Sequence, residues 1–453
     1  MSSAEHWSGR MAFVLASIGA AVGLGNIWKF PYTLGSSGGS AFVLIYVLAI
    51  FLIATPIMLS EMMIGRRAGK SAPSSLRKVA VDNGASAHWA WLGWMGLLAV
   101  FLVFSFYSVI AGWTAAYLIK SVSGQLAGLS PAQVGENFGA FLHDPTTMLG
   151  WHLAFTVATV YIVSRGIKLG LERITKFLMP ALFATLVGLV IYAAISGDIG
   201  QAANFLFMPD FSKLTAPVVL AAVGQAFFSV NVGIGSVLTY SAYLPKDVNL
   251  FRSAITISIG DTTVALLAGL AIFPIVFANG LNPAEGPGLV FVTLSTAFAQ
   301  MPGGTIVGTA FFLMILFAAL TSSIAMLETT TARLVESGKF SRPRSAVIIG
   351  TCSFLLGIVT VLSFSEWETT YLLGGFEAFA NKTPFDLIDY LVSNLLMPVG
   401  GMLFALFAGW KINQAMQVEE LGVGNGALYR IWLVLARFVA PVAVALVFYF
   451  NLT

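Results

Sequence analysis

Glycines 19, 23 and 25 stand in the run Gly19-Ala-Ala-Val-Gly-Leu-Gly-Asn26, in the middle of an apolar segment from about 11 to 34. The chemistry this pattern offers is binding rather than catalysis. In a bilayer no water satisfies a freed backbone N–H or C=O, so a helix broken at such glycines turns its polar ends toward a cavity. A second reading of the same spacing is close packing, since Gly19 and Gly23 four residues apart let two membrane helices approach. The pattern recurs, however: Val22-Gly-Leu-Gly-Asn26 is echoed by Val232-Gly-Ile-Gly-Ser236, again mid-segment and again followed by a polar residue. Two interrupted helices in corresponding positions of two halves point to the substrate and ion site of a secondary transporter.

The elements that must hold these breaks are membrane helices. Of 453 residues 58% are hydrophobic and 9% charged, far too apolar for a soluble chain of this length. Windows of about 20 apolar residues give eleven spans, roughly 11–34, 40–64, 90–120, 148–165, 172–196, 215–241, 252–279, 304–336, 344–363, 386–410 and 428–450. With a cytoplasmic N-terminus, 19 of the 23 Lys and Arg fall on the inner side, leaving only Lys29, Lys120, Lys213 and Lys382 outside. The positive-inside rule therefore orients a multi-pass protein of the cell inner (plasma) membrane, with Thr453 outside. The first apolar segment runs past Gly25 without a credible signal-cleavage site. The basic residues sit in short loops rather than on one face, so the net charge of +3 implies no nucleic-acid partner. Cys352 stands alone, which rules out a disulfide framework or a cysteine metal site. The four His (6, 88, 143, 152) form no nucleophile or metal constellation, so an enzyme is not expected. Two longer outer gaps remain, 121–147 and 280–303; the second reads either as a surface loop or as a short helix between turns, from Leu289 to Phe298.

Several motifs together carry a family resemblance. Trp7, Arg10, the Gly19 to Asn26 run with Ile27-Trp-Lys-Phe-Pro31, and Gly38-Gly-Ser-Ala-Phe42 resemble the first helices of the neurotransmitter:sodium symporter family, in a bacterial member. Pro56 to Gly65 with Glu61, Gly224-Gln-Ala-Phe-Phe-Ser229 and Leu320-Thr-Ser-Ser323 match further along, in order and over nearly the whole chain. The resemblance implies an all-α membrane protein of about eleven transmembrane helices with a LeuT-type 5+5 inverted repeat, helices 1 and 6 being unwound mid-membrane. Its parts would be 1–200 (helices 1–5), 201–412 (helices 6–10) and 413–453 (helix 11). It also implies Na⁺-coupled import of a neutral amino acid by alternating access, with two Na⁺ ions. A rival on the same scaffold is a non-transporting amino-acid sensor or a channel, but a channel needs a continuous polar pore, and here polar residues cluster at the breaks.

Carried over residue by residue, the resemblance places a first Na⁺ on the Ala21 carbonyl, Asn26, Ser229 and Asp261. A second would take the carbonyls of Gly19, Val22 and Ala318 with the hydroxyls of Thr321 and Ser322, oxygen ligands suited to a hard cation. The substrate carboxylate would meet the amides around Gly23 to Gly25 and the Tyr107 hydroxyl, near Ala21, Ser229 and Ser322. The side-chain pocket would draw on Val103, Phe228, Asn231, Ile234 and Met326. Family members that carry monoamines resemble this pattern with an aspartate at position 23; Gly23 favours a substrate that brings its own carboxylate. Lys29 with Asp389 matches an outer gate, with Phe228 and Tyr107 as the lid beneath. Glu336 matches the inner gate acid, whose basic partner is missing, position 4 being Ala. Gly170 and Pro180 resemble a helix-5 segment that unwinds, or mark merely a proline kink in that helix. Asp261 stands where many members have Asn, and a built-in carboxylate offsets the charge that chloride-dependent members balance with an anion, so the expectation is chloride independence. A carboxylate left without its cation in the apolar interior would return protonated, giving proton antiport. The buried acids Glu61 and Glu328 require partners, and sequence assigns them no role.

Overall fold

The computed structural model describes residues 6–208, 210–284 and 288–452, so Ala4 of the expected inner gate and the Pro287 turn lie outside the described residues. Helices account for the architecture, with no strand among the described residues. In chain order they are α1 (Arg10–Ala21), α2 (Gly25–Ser36), α3 (Ser40–Ala68), α4 (Ala72–Asp82), α5 (Ala87–Val122), α6 (Pro131–Leu142), α7 (Pro145–Ser164), α8 (Ile167–Ser196) and α9 (Ile199–Phe207). Then follow α10 (Ala216–Ser229), α11 (Ser236–Ser241), α12 (Leu250–Ala278), α13 (Leu289–Gln300), α14 (Gly304–Glu336), α15 (Arg342–Ser363), α16 (Pro384–Trp410), α17 (Gln414–Leu421) and α18 (Ala427–Tyr449).

Nine of these, among the described residues, are long and apolar enough to cross a membrane, and α1 with α2, bent by 49°, make a tenth. The sixth expected span, 215–241, divides into α10 of 14 residues and α11 of 6 residues, each too short to cross alone. Both breaks thus fall where the glycine runs stand. Long helices satisfy their own backbone groups, which is why spans of 20 or more residues form here without help from water. Their ends are tied off locally: Asp144 accepts from Thr147 N at 3.0 Å, Asn249 from Arg252 N at 2.9 Å, and Ser130 with Gln133 forms a capping box at α6. The gap 280–303 contains the helix α13, and the gap 121–147 contains α6, which apolar windows could not show.

Packing concentrates around the second break. Gly233 has φ +89°, and an added Cβ would lie 2.2 Å from the Met397 carbonyl oxygen; on α16, a Cβ at Gly400 would lie 1.9 Å from Gly233 O. Backbone meets backbone there, and only glycine permits it. Glu61 on α3 supplies what the unwound chain lacks, its carboxylate accepting from Gly233 N at 2.6 Å and Leu238 N at 3.4 Å. Glu328 is likewise partnered, by the Tyr243 hydroxyl at 2.7 Å and the Arg342 guanidinium at 2.6 Å. At one end of the bundle Trp113, Tyr117, Phe138 and Phe291 pack edge to face under α13. At the other, the indole of Trp7 is 2% exposed and donates to Tyr240 O at 2.9 Å.

Gly233→Ala is expected to destabilise the protein by about 3 kcal/mol or more, through left-handed strain and overpacking together. Gly424→Ala, at φ +61° with open space around it, is expected to cost only about 1 kcal/mol. Melting curves of the two purified variants check the difference; equal losses would show that backbone strain alone, not the α16 contact, makes Gly233 necessary.

Candidate functional site

At the first break the chain leaves helical geometry at Val22 (φ −70°, ψ 102°), so carbonyls at the end of α1 lose their helical partners. Ser322 Oγ, on α14, donates to Gly19 O and Val22 O, both at 3.1 Å. One residue earlier, Thr321 Oγ1 donates to Ala318 O at 3.0 Å. Five oxygens expected to hold the second ion are therefore gathered along one α1–α14 seam. Hydroxyls that donate also keep lone pairs, so the same groups can turn to a cation. Met179 of α8 covers this seam, its sulfur 3.0 Å from where a Gly19 Cβ would be. Helix α8 is wound continuously from Ile167, with Pro180 inside it, so the unwinding expected between Gly170 and Pro180 does not occur in this structure. Gly170 instead serves close packing: a Cβ there would lie 2.1 Å from Ile162 O.

A second polar cluster lies wholly out of contact with solvent. Asn26 Nδ2 reaches Ser229 Oγ at 2.9 Å, Asp261 Oδ1 at 2.8 Å and Asp261 O at 3.2 Å, while Ser229 Oγ donates to Asp261 Oδ2 at 2.6 Å. Gly23 N donates to Asn26 Oδ1 at 3.3 Å, which links the cluster to the helix break. Tyr46 completes it, its hydroxyl 2.9 Å from Ser229 Oγ and donating to Asp261 Oδ2 at 3.4 Å. Sequence reasoning missed Tyr46; the usable signal was a hydroxyl-bearing aromatic in the otherwise apolar run 41–54, where a buried tip requires a partner. Among the described residues Asp261 makes no ion pair with Lys, Arg or His, so this fully buried carboxylate is held by neutral donors alone. A donor set of one carboxylate, one amide oxygen, one hydroxyl and nearby carbonyls suits a hard monovalent or divalent cation.

Between the clusters runs a narrow cleft, onto which Ala21, Gly23, Gly25, Val103, Tyr107, Phe228, Asn231, Ser322 and Met326 open as expected. Ala20 and Met397 also line it and were not foreseen; Met397 lies where α16 meets the unwound chain, its carbonyl oxygen 2.2 Å from where a Gly233 Cβ would be. Ile234 does not line it: the residue is fully buried, and its carbonyl faces α5, 2.8 Å from where a Gly96 Cβ would be. The Tyr107 hydroxyl accepts from Leu24 N at 3.1 Å, and Gln225 Nε2 donates to Gly25 O at 2.8 Å, so the start of α2 is anchored from two sides. Asn231 adopts φ 56°, and its buried side-chain Nδ2 has no hydrogen-bond partner among the described residues, leaving two N–H donors at the cleft. A Cβ on Gly23 would stand 2.4 Å from Ser322 Oγ and 2.5 Å from the Tyr107 hydroxyl, and so would fill the centre of the cleft.

Each end of the cleft is closed. Lys29 lies 4.0 Å from Asp389 and 4.2 Å from the Phe228 ring centroid, stacking one ammonium across the opening. At the opposite end Glu336 is held by Ser71, which donates its N–H at 3.1 Å and also its hydroxyl. Among the described residues the acid's partner is thus Ser71, the residue just before α4, rather than a base. Ser8 and Lys176 both bind Glu172, which fastens the chain before α1 to α8.

Comparison with known proteins agrees with this arrangement. The sequence profile of the family described as "SNF: Sodium:neurotransmitter symporter family" matches residues 4–133 and 142–453. The chain belongs to that family. It is 40% identical over 445 residues to the uncharacterized sodium-dependent transporter YhdH of Bacillus subtilis, covering 98% of this chain and 96% of that one. An uncharacterized sodium-dependent transporter of Haemophilus influenzae is 34% identical over 456 residues, covering 99% and 98%. Among solved structures, MhsT in complex with L-phenylalanine superposes with a TM-score of 0.91 at 41% identity, covering 99% of each chain. This symporter is accordingly a sodium-dependent, multi-pass membrane transporter of LeuT-type fold and not an enzyme.

Gly23→Ala is expected to lower sodium-dependent uptake into proteoliposomes by roughly ten-fold or more, since overpacking at ~1–3 kcal/mol falls directly on the cleft. Gly9→Ala, with nothing within 4 Å of the added carbon, is expected to leave uptake unchanged. Uptake by Gly23→Ala at the wild-type rate would show that the cleft is not the transport path.

Proposed function

We propose that this symporter imports a small neutral amino acid with an apolar side chain together with two Na⁺ ions. The observation that carries the reading is the enclosed polar cluster of Asn26, Ser229, Asp261 and Tyr46, set directly beneath the backbone amides that begin α2. The first Na⁺ binds at Asn26, Ser229, Asp261 and the Ala21 carbonyl. The second binds between Gly19, Val22, Ala318, Thr321 and Ser322. The substrate carboxylate lies against the amides of Gly23 to Gly25, where the positive end of α2 and the first Na⁺ both attract it, and the Tyr107 hydroxyl turns from Leu24 N to meet it. Its ammonium faces the carbonyls ending α10, and its side chain lies among Val103, Phe228 and Met326, with Asn231 at the border. That MhsT binds L-phenylalanine in the structure with which this one superposes supports an amino acid of that kind.

Transport proceeds by alternating access. The Lys29–Asp389 pair with Phe228 closes the outer path, and Glu336 with Ser71, backed by the Trp7 plug, closes the inner one. We place the protein in the cell inner membrane with the N-terminus cytoplasmic and eleven spans, α10 and α11 together being the sixth. Inverted repeats then occupy 1–200 and 201–412, with the last helix in 413–453. Each Na⁺ moving inward contributes ~2.3 kcal/mol per 100 mV, so two ions drive steep accumulation.

Asp261 explains why no chloride is needed. Two Na⁺ and a zwitterion leave the site at +2, and a carboxylate beside one cation offsets ~4 kcal/mol at 4 Å and an effective dielectric of 20. Emptied of cations, the carboxylate faces only neutral donors and returns with a proton, coupling uptake to proton export.

Three measurements test the reading. Asn26→Leu is expected to abolish Na⁺-dependent binding while the protein stays folded, since no apolar neighbour can replace the lost oxygen. Competition among leucine, phenylalanine, glycine and dopamine should favour the apolar amino acids; dopamine competing best would contradict capture of a carboxylate. Replacing chloride by gluconate should leave wild-type uptake intact, and uptake that stops without chloride would defeat the role given to Asp261.

A further inference from the structure

At the end of the bundle that carries the basic residues Lys339, Arg342 and Arg344, helices α5, α14 and α15 border an open groove of about 400 Å³. Its walls include Trp94, Leu98, Phe101 and Ile349, with Arg333 and Ser337 at the rim. These walls face outward from the core, Leu98 being 51% and Trp94 44% exposed. The Arg333 guanidinium stands over the Trp94 ring, 4.9 Å from its centroid, and among the described residues its buried Nε has no hydrogen-bond partner. Nearby acids are already engaged: Glu336 by Ser71, Glu328 by Tyr243 and Arg342. The rim hydroxyls of Thr330 and Ser337 donate to the carbonyls of Leu327 and Leu334 on their own helix, which leaves Arg333 as the charged donor on the groove among the described residues.

We propose that this groove binds an anionic glycerophospholipid, its phosphate on the Arg333 guanidinium and an acyl chain along Leu98, Phe101 and Ile349. Stacking on an indole fixes the plane of a guanidinium and leaves its edge free for two phosphate oxygens, geometry an ammonium lacks. The surrounding cations raise the local concentration of anionic headgroups, and tryptophan favours the headgroup level of the bilayer. A free phosphate would leave the apolar walls unused. A zwitterionic lipid would present its own ammonium beside the phosphate and weaken the pairing.

The test delipidates the full-length protein in detergent and titrates it with phosphatidylglycerol, with phosphatidylcholine of the same chains, and with inorganic phosphate. Retention is read by native mass spectrometry and stabilisation by thermal melting. Phosphatidylglycerol is expected to be retained preferentially, and Arg333→Gln to weaken it about five-fold, the worth of one arginine at an anionic surface. Leu98→Trp, which fills the trench, should weaken it as well. Equal retention of the two lipids, or unchanged retention in Arg333→Gln, overturns the proposal. Stabilisation by phosphate equal to that by phosphatidylglycerol overturns it too, since the site would then bind only a free anion. If Arg333→Gln fails to fold, unchanged phosphatidylglycerol retention in Leu98→Trp is the overturning result.

Discussion

A backbone amide or carbonyl inside a bilayer must find a partner in the protein, and every feature of the cleft follows from breaking two helices under that constraint. Each break releases groups whose burial costs several kcal/mol if left unpaired. The fold answers with side chains brought in from other helices. Glu61 accepts from Gly233 and Leu238, Ser322 donates to Gly19 and Val22, and Gln225 donates to Gly25. What these do not satisfy, together with the buried acid Asp261, is concentrated in one place. The site is therefore the remainder of the helix-breaking rather than an addition to it.

The scaffold and the closures differ in strength. Around the second break backbone touches backbone through Gly233 and Gly400, and charges are paired inside the protein, as Glu328 is with Arg342 at 2.6 Å. Removing one member of such a buried pair is costly, so these contacts hold the bundle in one arrangement. By contrast, Lys29 and Asp389 lie 4.0 Å apart with side chains 20% and 34% exposed, a pair worth ~0–1 kcal/mol. So weak a contact suits the outer gate proposed for this pair. Glu336, held by the Ser71 backbone and hydroxyl rather than by a salt bridge, has the same character at the other end.

Much of this was legible in the sequence because a bilayer restricts what a chain can do. Twenty apolar residues have one outcome there, so the spans were readable, and the two glycine runs fell at the two helix breaks. Residues with fixed local duties were readable as well: Asn26 directly after the first break and Thr321-Ser322 stand where the structure has them in the polar clusters. Other positions gave no local sign. Apolar windows passed over α6, whose 12 residues are too short and too mixed to read as a span although Val134 and Phe141 are buried. Ile234 sits in the right segment for the cleft, yet it is fully buried off the cleft lining, in a stretch where Gly233 and Gly235 take φ of +89° and +75° and its carbonyl lies against α5.

Sequence alone determined that this is a helical membrane protein, where its helices break, and which residue types stand at the breaks, since all three follow from local composition in a solvent that forbids unpaired backbone. Only the tertiary structure decided the partners. Tyr46 meets Asp261 across 215 residues, Glu61 caps an unwound segment 172 residues away, and Ser71 takes the place of the missing base at Glu336. The physical reason is that a side chain's direction on a long helix is fixed by how that helix packs, and the packing depends on close approaches such as Gly233 to Gly400, which join segments far apart in the chain.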